Sequence, residues 1–214
     1  MSATIEIQDV VLVLMAYLVG SVPSSVWIGK RFYGKDVREH GSKNPGATNT
    51  LRTLGKKPAM LVLFLDMLKG WLAVSLVCLS TYHSGSSARI HLEVAMAVAA
   101  VIGHIFPIYA GFRGGKGVAT TLGIIMGISP PMALLCIVVF WLVLLFSHYV
   151  SLASLVAVAS FPLWMNYLFK VNHPWLVVFS VVLPLLVLIT HRKNILRLLK
   201  NEESAMHVFQ KKAK

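Results

Sequence analysis

The sequence predicts an all-α, polytopic integral membrane protein: a single domain over 1–214 with seven transmembrane helices, its N-terminus outside and its C-terminus cytoplasmic. Three observations carry this expectation. First, 57% of the residues are hydrophobic, only 13% are charged, and the mean hydropathy is +0.73. A soluble domain carries about twice that charged fraction, so this chain has too little polar surface to face water all round. Second, seven apolar stretches run near 9–28, 58–80, 92–110, 117–129, 131–147, 151–168 and 174–190. A membrane-crossing helix takes about 20 mostly apolar residues, which leaves short loops and no room for a separate soluble domain. Third, the basic residues fall on one side. Of 20 Lys and Arg, eight lie in 29–57, two in 111–117 and seven after His191, against only Arg89 and Lys170 in the opposite loops. That asymmetry sets orientation by the positive-inside rule.

The same distribution decides how to read the net charge of +12. In a soluble protein it would point to nucleic acid. Between apolar segments it reads as orientation in the membrane, with anionic lipid or an anionic substrate as partner, and no nucleic acid is expected. Cys78 and Cys136 both lie in apolar runs and read as small core residues rather than a disulfide framework.

The stretch 9–28 is expected to stay as a membrane helix. Glu6 and Asp9 stand where a signal peptide needs basic residues, and no small-residue cleavage site follows. After it comes His40-Gly41-Ser42-Lys43-Asn44-Pro45-Gly46-Ala47-Thr48-Asn49, then Leu51-Arg52. Closely spaced Gly with Ser, Asn and Thr lets a backbone approach a ligand and turn its N–H groups inward. Ser42, Asn44, Thr48 and Asn49 are candidate binding groups, and Arg52 can clamp a phosphate or carboxylate through paired hydrogen bonds. The same residues also suit a plain polar connecting loop with a positive-inside arginine.

Within 58–80, Asp66 and Lys69 are three apart on one helical face, so they pair rather than meet lipid singly; a proton path is the second reading. In and beside 92–110, His91, Glu93 and His104 lack a helical metal-ligand spacing with a third partner, so no metal is assigned. Gly114-Gly115-Lys116-Gly117 then opens an apolar helix. A helix start presents free N–H groups and the positive end of its dipole, which suits an anion beside a lysine. The run is not a Walker A loop, because the first glycine of that spacing is missing. Its plainer reading is a glycine turn with one cytoplasmic lysine.

The stretch 117–129 is short and rich in Gly and Thr, and reads as a half-helix or a span shielded by its neighbours. Ser129-Pro130-Pro131 turns the chain, since proline cannot continue the preceding helix. Ser151 and Ser154 open the sixth stretch on the cytoplasmic side, where they reach a site or cap the helix. After the seventh, His191 and Asn194 share a face if helix continues, while Arg192, Lys193, Arg197 and Lys200 fit a basic helix lying on anionic lipid. These polar motifs all fall on the cytoplasmic side. From the residues alone both a membrane enzyme and a carrier of a small phosphorylated anion stand open, since half-helices and membrane glycines also build transport sites. A carrier would hold its binding groups near the midplane, however, and these cluster at one face.

Gly20-Ser21-Val22-Pro23-Ser24, the stretch from Gly41 to Arg52, Leu65 to Gly70, Gly103-His104 through Thr120, and His191 to Glu203 occur in the order found in one family. Over nearly its whole length the chain resembles the bacterial acyl-phosphate:glycerol-3-phosphate acyltransferases (the PlsY type). It has Lys43 where that family's first motif carries a second glycine. The resemblance implies transfer of a fatty acyl group from acyl phosphate to the 1-hydroxyl of sn-glycerol 3-phosphate, giving lysophosphatidate and inorganic phosphate. It implies no cofactor, a place in the bacterial inner membrane, and a functional link to the enzyme that makes acyl phosphate. Carried over residue by residue, it gives Ser42, Arg52, His191 and Asn194 catalytic roles. Gly114, Gly115 and Gly117 become glycerol-phosphate binders with Lys116 as anion partner, and the family's acidic residue maps to Glu202 or Glu203. The His with Asp five positions on that marks soluble-donor glycerolipid acyltransferases is absent: Tyr109 follows His104 at that spacing and Leu196 follows His191.

Overall fold

The computed structural model describes residues 6–206, and Lys211, Lys212 and Lys214 of the basic tail lie outside the described residues. The described chain is helical throughout. In order come α1 (Ile7–Gly20), α2 (Ser24–Tyr33), α3 (Ala47–Leu54), α4 (Lys56–Ser75), α5 (Ser87–Ile105), α6 (Val118–Ile128), α7 (Pro130–Ser147), α8 (Val150–Leu163), α9 (Pro174–Thr190) and α10 (Arg192–Leu199). Four continuous helices are long and apolar enough to cross a membrane: Lys56–Leu79, Ser87–Ala110, Pro130–Ser147 and Val150–Leu168. The count reaches six if the bent pairs α1/α2 and α9/α10 each make one span.

The stretch 9–28 is therefore not one straight helix. Its chain bends by 41° between α1 and α2, at Ser21-Val22-Pro23. Proline has no N–H and disfavours helix in the residue before it, so the ladder stops there. A break at membrane depth frees backbone groups that must find partners inside the protein. Lys69 Nζ donates to Val22 O at 2.7 Å and pairs with Asp66 Oδ1 at 2.9 Å, while Ser24 Oγ donates to that same Oδ1 at 3.0 Å. The expected Asp66–Lys69 pair thus forms, and it stitches the broken first span to α4.

The stretch 117–129 becomes α6, 11 residues long, or about 16 Å at the helical rise. That is roughly half the hydrocarbon thickness. Its glycines serve packing: a methyl group on Gly123 would collide with the Met67 carbonyl, and one on Gly70 with the Thr120 carbonyl. The backbones of α4 and α6 therefore touch directly, as small residues permit in membrane bundles. Gly20 against Ala100 and Gly103 against Tyr17 join α1 to α5 in the same way. We expect Gly123→Ala to lower stability by roughly 1–3 kcal/mol through overpacking, read as an earlier thermal transition of the detergent-solubilised protein.

Pro130 and Pro131 end α6 only to start α7, where the first-turn N–H groups have no helical partner anyway. A further bend, of 66°, falls between α9 and α10 at His191, so the helix does not run straight on from the seventh stretch. Of the two cysteines, Cys136 is buried as expected, but Cys78 is exposed in the short turn Leu76–Leu79 that follows α4.

Candidate active site

One cavity of about 350 Å³ gathers most of the candidate residues. Its polar end is lined by Ser42, Asn44, Thr48, Asn49 and Arg52 from the first loop and α3, and by Lys116 and Gly117 at the start of α6. Ser151 and Ser154 of α8, together with His191, Asn194 and Glu203, complete that end. The other end is apolar, with Leu63, Met67, Leu122, Ile125, Phe140 and Trp141. Leu63 and Trp141 are also exposed on the outer surface, 43% and 47%, so the apolar end reaches the lipid-facing side.

The first loop is shaped by Asn49, which is buried. Its Oδ1 accepts from the Ser42 N–H at 2.8 Å, and its Nδ2 donates to Val37 O at 2.8 Å and His40 O at 3.1 Å. The amide that the sequence suggests as a substrate binder is thus committed to holding Ser42 in place. Gly41 and Lys43 both adopt positive φ, 60° and 59°. The family's glycine position is a left-handed one, and a lysine there carries about 1–2 kcal/mol of backbone strain.

The second motif divides. Gly117 has φ 88° and caps α6, and it borders the cavity with Val118 and Ala119, so the positive end of α6 faces the lumen. Gly114 and Gly115 do not border it. Their N–H groups donate to Ile105 O and His104 O, both at 3.1 Å, and a methyl group on either would strike backbone or ring atoms. The geometry gives them a packing role behind Lys116 instead of a direct hold on phosphate, because their donors are already used.

Lys116 Nζ donates to Asn194 Oδ1, and Asn194 Nδ2 donates to Glu203 Oε1 at 2.7 Å. Glu203 also accepts from Ser151 Oγ at 3.0 Å and Arg197 Nε at 2.7 Å. Between the two acidic residues that the sequence left open, the structure brings Glu203 into the site and leaves Glu202 exposed. Burial pushes the Lys116 ammonium down to about 8, despite the pull of Glu203. Burial alone would raise the Glu203 carboxyl, but hydrogen bonds from Arg197, Asn194 and Ser151 hold it below its ordinary value. Thr190 Oγ1 donates to Lys116 O at 3.0 Å, which ties the end of α9 to the same loop.

His191 is buried at the α9/α10 break, and its Nδ1 lies 2.8 Å from Val187 O. A carbonyl can only accept, so Nδ1 carries the proton and Nε2 presents a lone pair in the neutral ring. A lone pair suits a hydroxyl donor and not a phosphate oxygen. Thr121 was not among the candidate residues: its hydroxyl is buried on the cavity wall with no hydrogen-bond partner among the described residues. Its place one turn into α6 after Lys116 was the available signal. Among the described residues no three His, Cys, Asp or Glu side chains stand close enough to hold a metal ion.

Comparison with known proteins bears on this arrangement directly. The family model described as glycerol-3-phosphate acyltransferase matches residues 10–201. The glycerol-3-phosphate acyltransferase of Staphylococcus carnosus is 39% identical over 197 residues, covering 91% of this chain and 96% of its own length. That of Listeria welshimeri is 40% identical over 198 residues, covering 92% and 96%. Crystal structures of PlsY (YgiH), an integral membrane glycerol 3-phosphate acyltransferase, superpose closely. The glycerol 3-phosphate form gives a TM-score of 0.83 at 37% identity, covering 95% of this chain and 100% of that one. The lysophosphatidic acid form gives 0.81 at 37% identity, covering 94% and 96%. The family match takes in α2 to α10 and all the cavity-lining residues except Glu203 and Ser204, and the carrier reading is set aside: the chain belongs to the glycerol-3-phosphate acyltransferase family and is a membrane-embedded acyltransferase.

Proposed function

We propose that this protein transfers a fatty acyl group from acyl phosphate to the 1-hydroxyl of sn-glycerol 3-phosphate, releasing lysophosphatidate and inorganic phosphate at the cytoplasmic face of the bacterial inner membrane. The observation that carries the reading is one cavity with a cationic, hydroxyl-rich end and an apolar end reaching the lipid-facing surface. Such a space suits a small dianion from water beside an anionic head whose tail stays in lipid.

In this reading Arg52, Lys116 and the start of α6 hold the two phosphate heads, with Ser42, Asn44 and Thr48 as hydrogen-bonding partners; Ser151 and Ser154 line the same end, and reach a head only by turning their hydroxyls from Glu203 and the Val150 carbonyl. Acyl phosphate is an activated donor, so catalysis needs alignment and charge stabilisation, and no acyl-enzyme. The glycerol 1-oxygen attacks the acyl carbonyl carbon, and the bond from that carbon to the phosphate oxygen breaks. The hydroxyl proton passes to the donor phosphate, which leaves as hydrogen phosphate. His191 Nε2 accepts the hydroxyl hydrogen bond and aims the nucleophile. Asn194 holds Lys116, and Glu203 holds Asn194.

Purified protein given labelled glycerol 3-phosphate should form labelled lysophosphatidate and equimolar inorganic phosphate with acyl phosphate, and none with acyl thioesters. Product from a thioester without phosphate release would overturn the donor assignment. Label gathered inside vesicles without esterification would restore a carrier.

The proposed topology has seven crossings, with α1/α2 and α9 each counted once and the short α6 included. A cytoplasm-sensitive reporter should therefore be active after Lys214 and near Lys56, and silent near Ser84. An outside signal at Lys214 would break both the odd count and the one-sided site.

A further inference from the structure

We propose that His104 is a positioning residue: anchored through Thr120 beside the Asp66–Lys69 pair, it braces the loop that carries Lys116 and so sets the affinity for glycerol 3-phosphate. The proposal rests on the substrate reading above, and concerns a buried cluster that the mechanism does not otherwise use.

His104 sits near the end of α5, buried, where it lines both the main cavity and a small one behind it. Its Nδ1 is 3.0 Å from Thr120 Oγ1 and 3.9 Å from Asp66 Oδ1. Asp66 is in turn held by Lys69 from its own helix and by Ser24 from α2. The imidazole is therefore held by Thr120 of α6 and stands beside Asp66 of α4, which Lys69 and Ser24 in turn keep in place. Because Asp66 and Lys69 offset each other, the anchor carries no net charge toward the lumen.

On its other side the ring fills the space under two loops. A methyl group on Gly115 would collide with Nε2, and would also lie 2.9 Å from Pro45 O. The His104 carbonyl accepts the Gly115 N–H at 3.1 Å, immediately before Lys116. Pro45 belongs to the first loop, between Asn44 and Gly46 on the cavity wall. Gly115, the residue before Lys116, is thus held by the His104 backbone and packed against its ring, with the Ser42 loop on the glycine's other side. Lys116 must meet a phosphate with its ammonium, and a small displacement of a site group weakens such a contact sharply. Thr120 does not line the main cavity, and its hydroxyl meets His104, which does.

The tests are His104→Ala, His104→Gln and Thr120→Val, each assayed for kcat and KM in folded, detergent-solubilised protein. His104→Ala should raise KM for glycerol 3-phosphate by about ten-fold with kcat within about three-fold, as expected for lost ground-state positioning. His104→Gln keeps bulk and a polar end, and should recover most of that loss. Thr120→Val keeps the shape but removes the anchor, and should raise KM by about three-fold or more. The deciding measurement is a double-mutant cycle with Lys116→Met. If His104 acts through Lys116, the KM effects of Thr120→Val and His104→Ala vanish in that background. Additive effects would overturn the proposal, as would unchanged KM in folded Thr120→Val, or a fall in kcat alone. If His104→Ala does not fold, Thr120→Val and His104→Gln carry the same cycle. Wild-type turnover in the same assay separates failure of the brace from failure of the substrate reading.

Discussion

Lys116→Met should raise KM for glycerol 3-phosphate by about ten- to a hundred-fold, because a charge-assisted hydrogen bond to phosphate contributes roughly 1.5–3 kcal/mol. Methionine keeps much of the bulk and removes only the charge. The structure makes the role of that charge sharper than the motif did. Lys116 is partly buried, donates to Asn194, and stands at the positive end of α6. Burial lowers its ammonium to about 8, so the free enzyme has the charged form below that pH and loses it above. Glycerol 3-phosphate is a dianion at neutral pH, and its affinity should be full below pH 8 and decline as pH rises through it. A plot of kcat/KM against pH should show that alkaline limb in the parent protein, and Lys116→Met should lack it. Unchanged kinetics in a folded variant would return Lys116 to the role of an orienting cytoplasmic charge.

Much of this fold was legible because lipid imposes simple rules on a sequence. Apolar length located the helices, and paired charges three residues apart announced Asp66 with Lys69. What periodicity could not show was where a helix breaks. The bend at Pro23 depends on a partner for the Val22 carbonyl, supplied by Lys69 nearly fifty positions later, and no local pattern contains that. The glycines misled for a related reason. Gly114 and Gly115 match the chemistry of a phosphate loop, yet their N–H groups are taken by the end of α5. Gly123 lies in the stretch read as a half-helix or a shielded span, and with Gly70 it marks where two backbones meet.

The site shows the same division. The polar residues gathered by motif do converge on one cavity, since hydroxyls, amides and cations at membrane depth are costly against lipid. Their individual tasks were not readable. Asn49 looks like a ligand group and is a loop organiser, while Glu203 looked interchangeable with Glu202 and alone gathers Ser151, Asn194 and Arg197. Those differences are set by tertiary hydrogen bonds between segments far apart in the chain.

His191→Gln should lower kcat by about ten-fold or less and leave the shape of the pH profile unchanged, while Asn194→Ala should cost at least as much. His191 Nδ1 donates to Val187 O and leaves Nε2 as an acceptor. An acceptor among bound phosphates is matched by a hydroxyl, so Nε2 faces the nucleophile. It can then orient that hydroxyl or remove its proton. A general base contributes about 10²–10⁴-fold and would imprint a histidine titration, which burial beside the Lys116 ammonium pushes down to about 4. An orienting acceptor contributes less, and glutamine Oε1 partly replaces it. In the proposed reaction the donor phosphate would lie beside the reacting atoms and leave as hydrogen phosphate, so it can take the proton without a relay. Asn194 differs because it has two partners: alanine there frees Lys116 and leaves Glu203 without one of its donors. Turnover at saturating substrates, followed from about pH 8.5 down through about 4, where the buried ring titrates, separates the two roles of His191. Near-complete inactivity of folded His191→Gln, with loss of an acidic limb present in the parent, would make His191 the base and end the substrate-assisted mechanism.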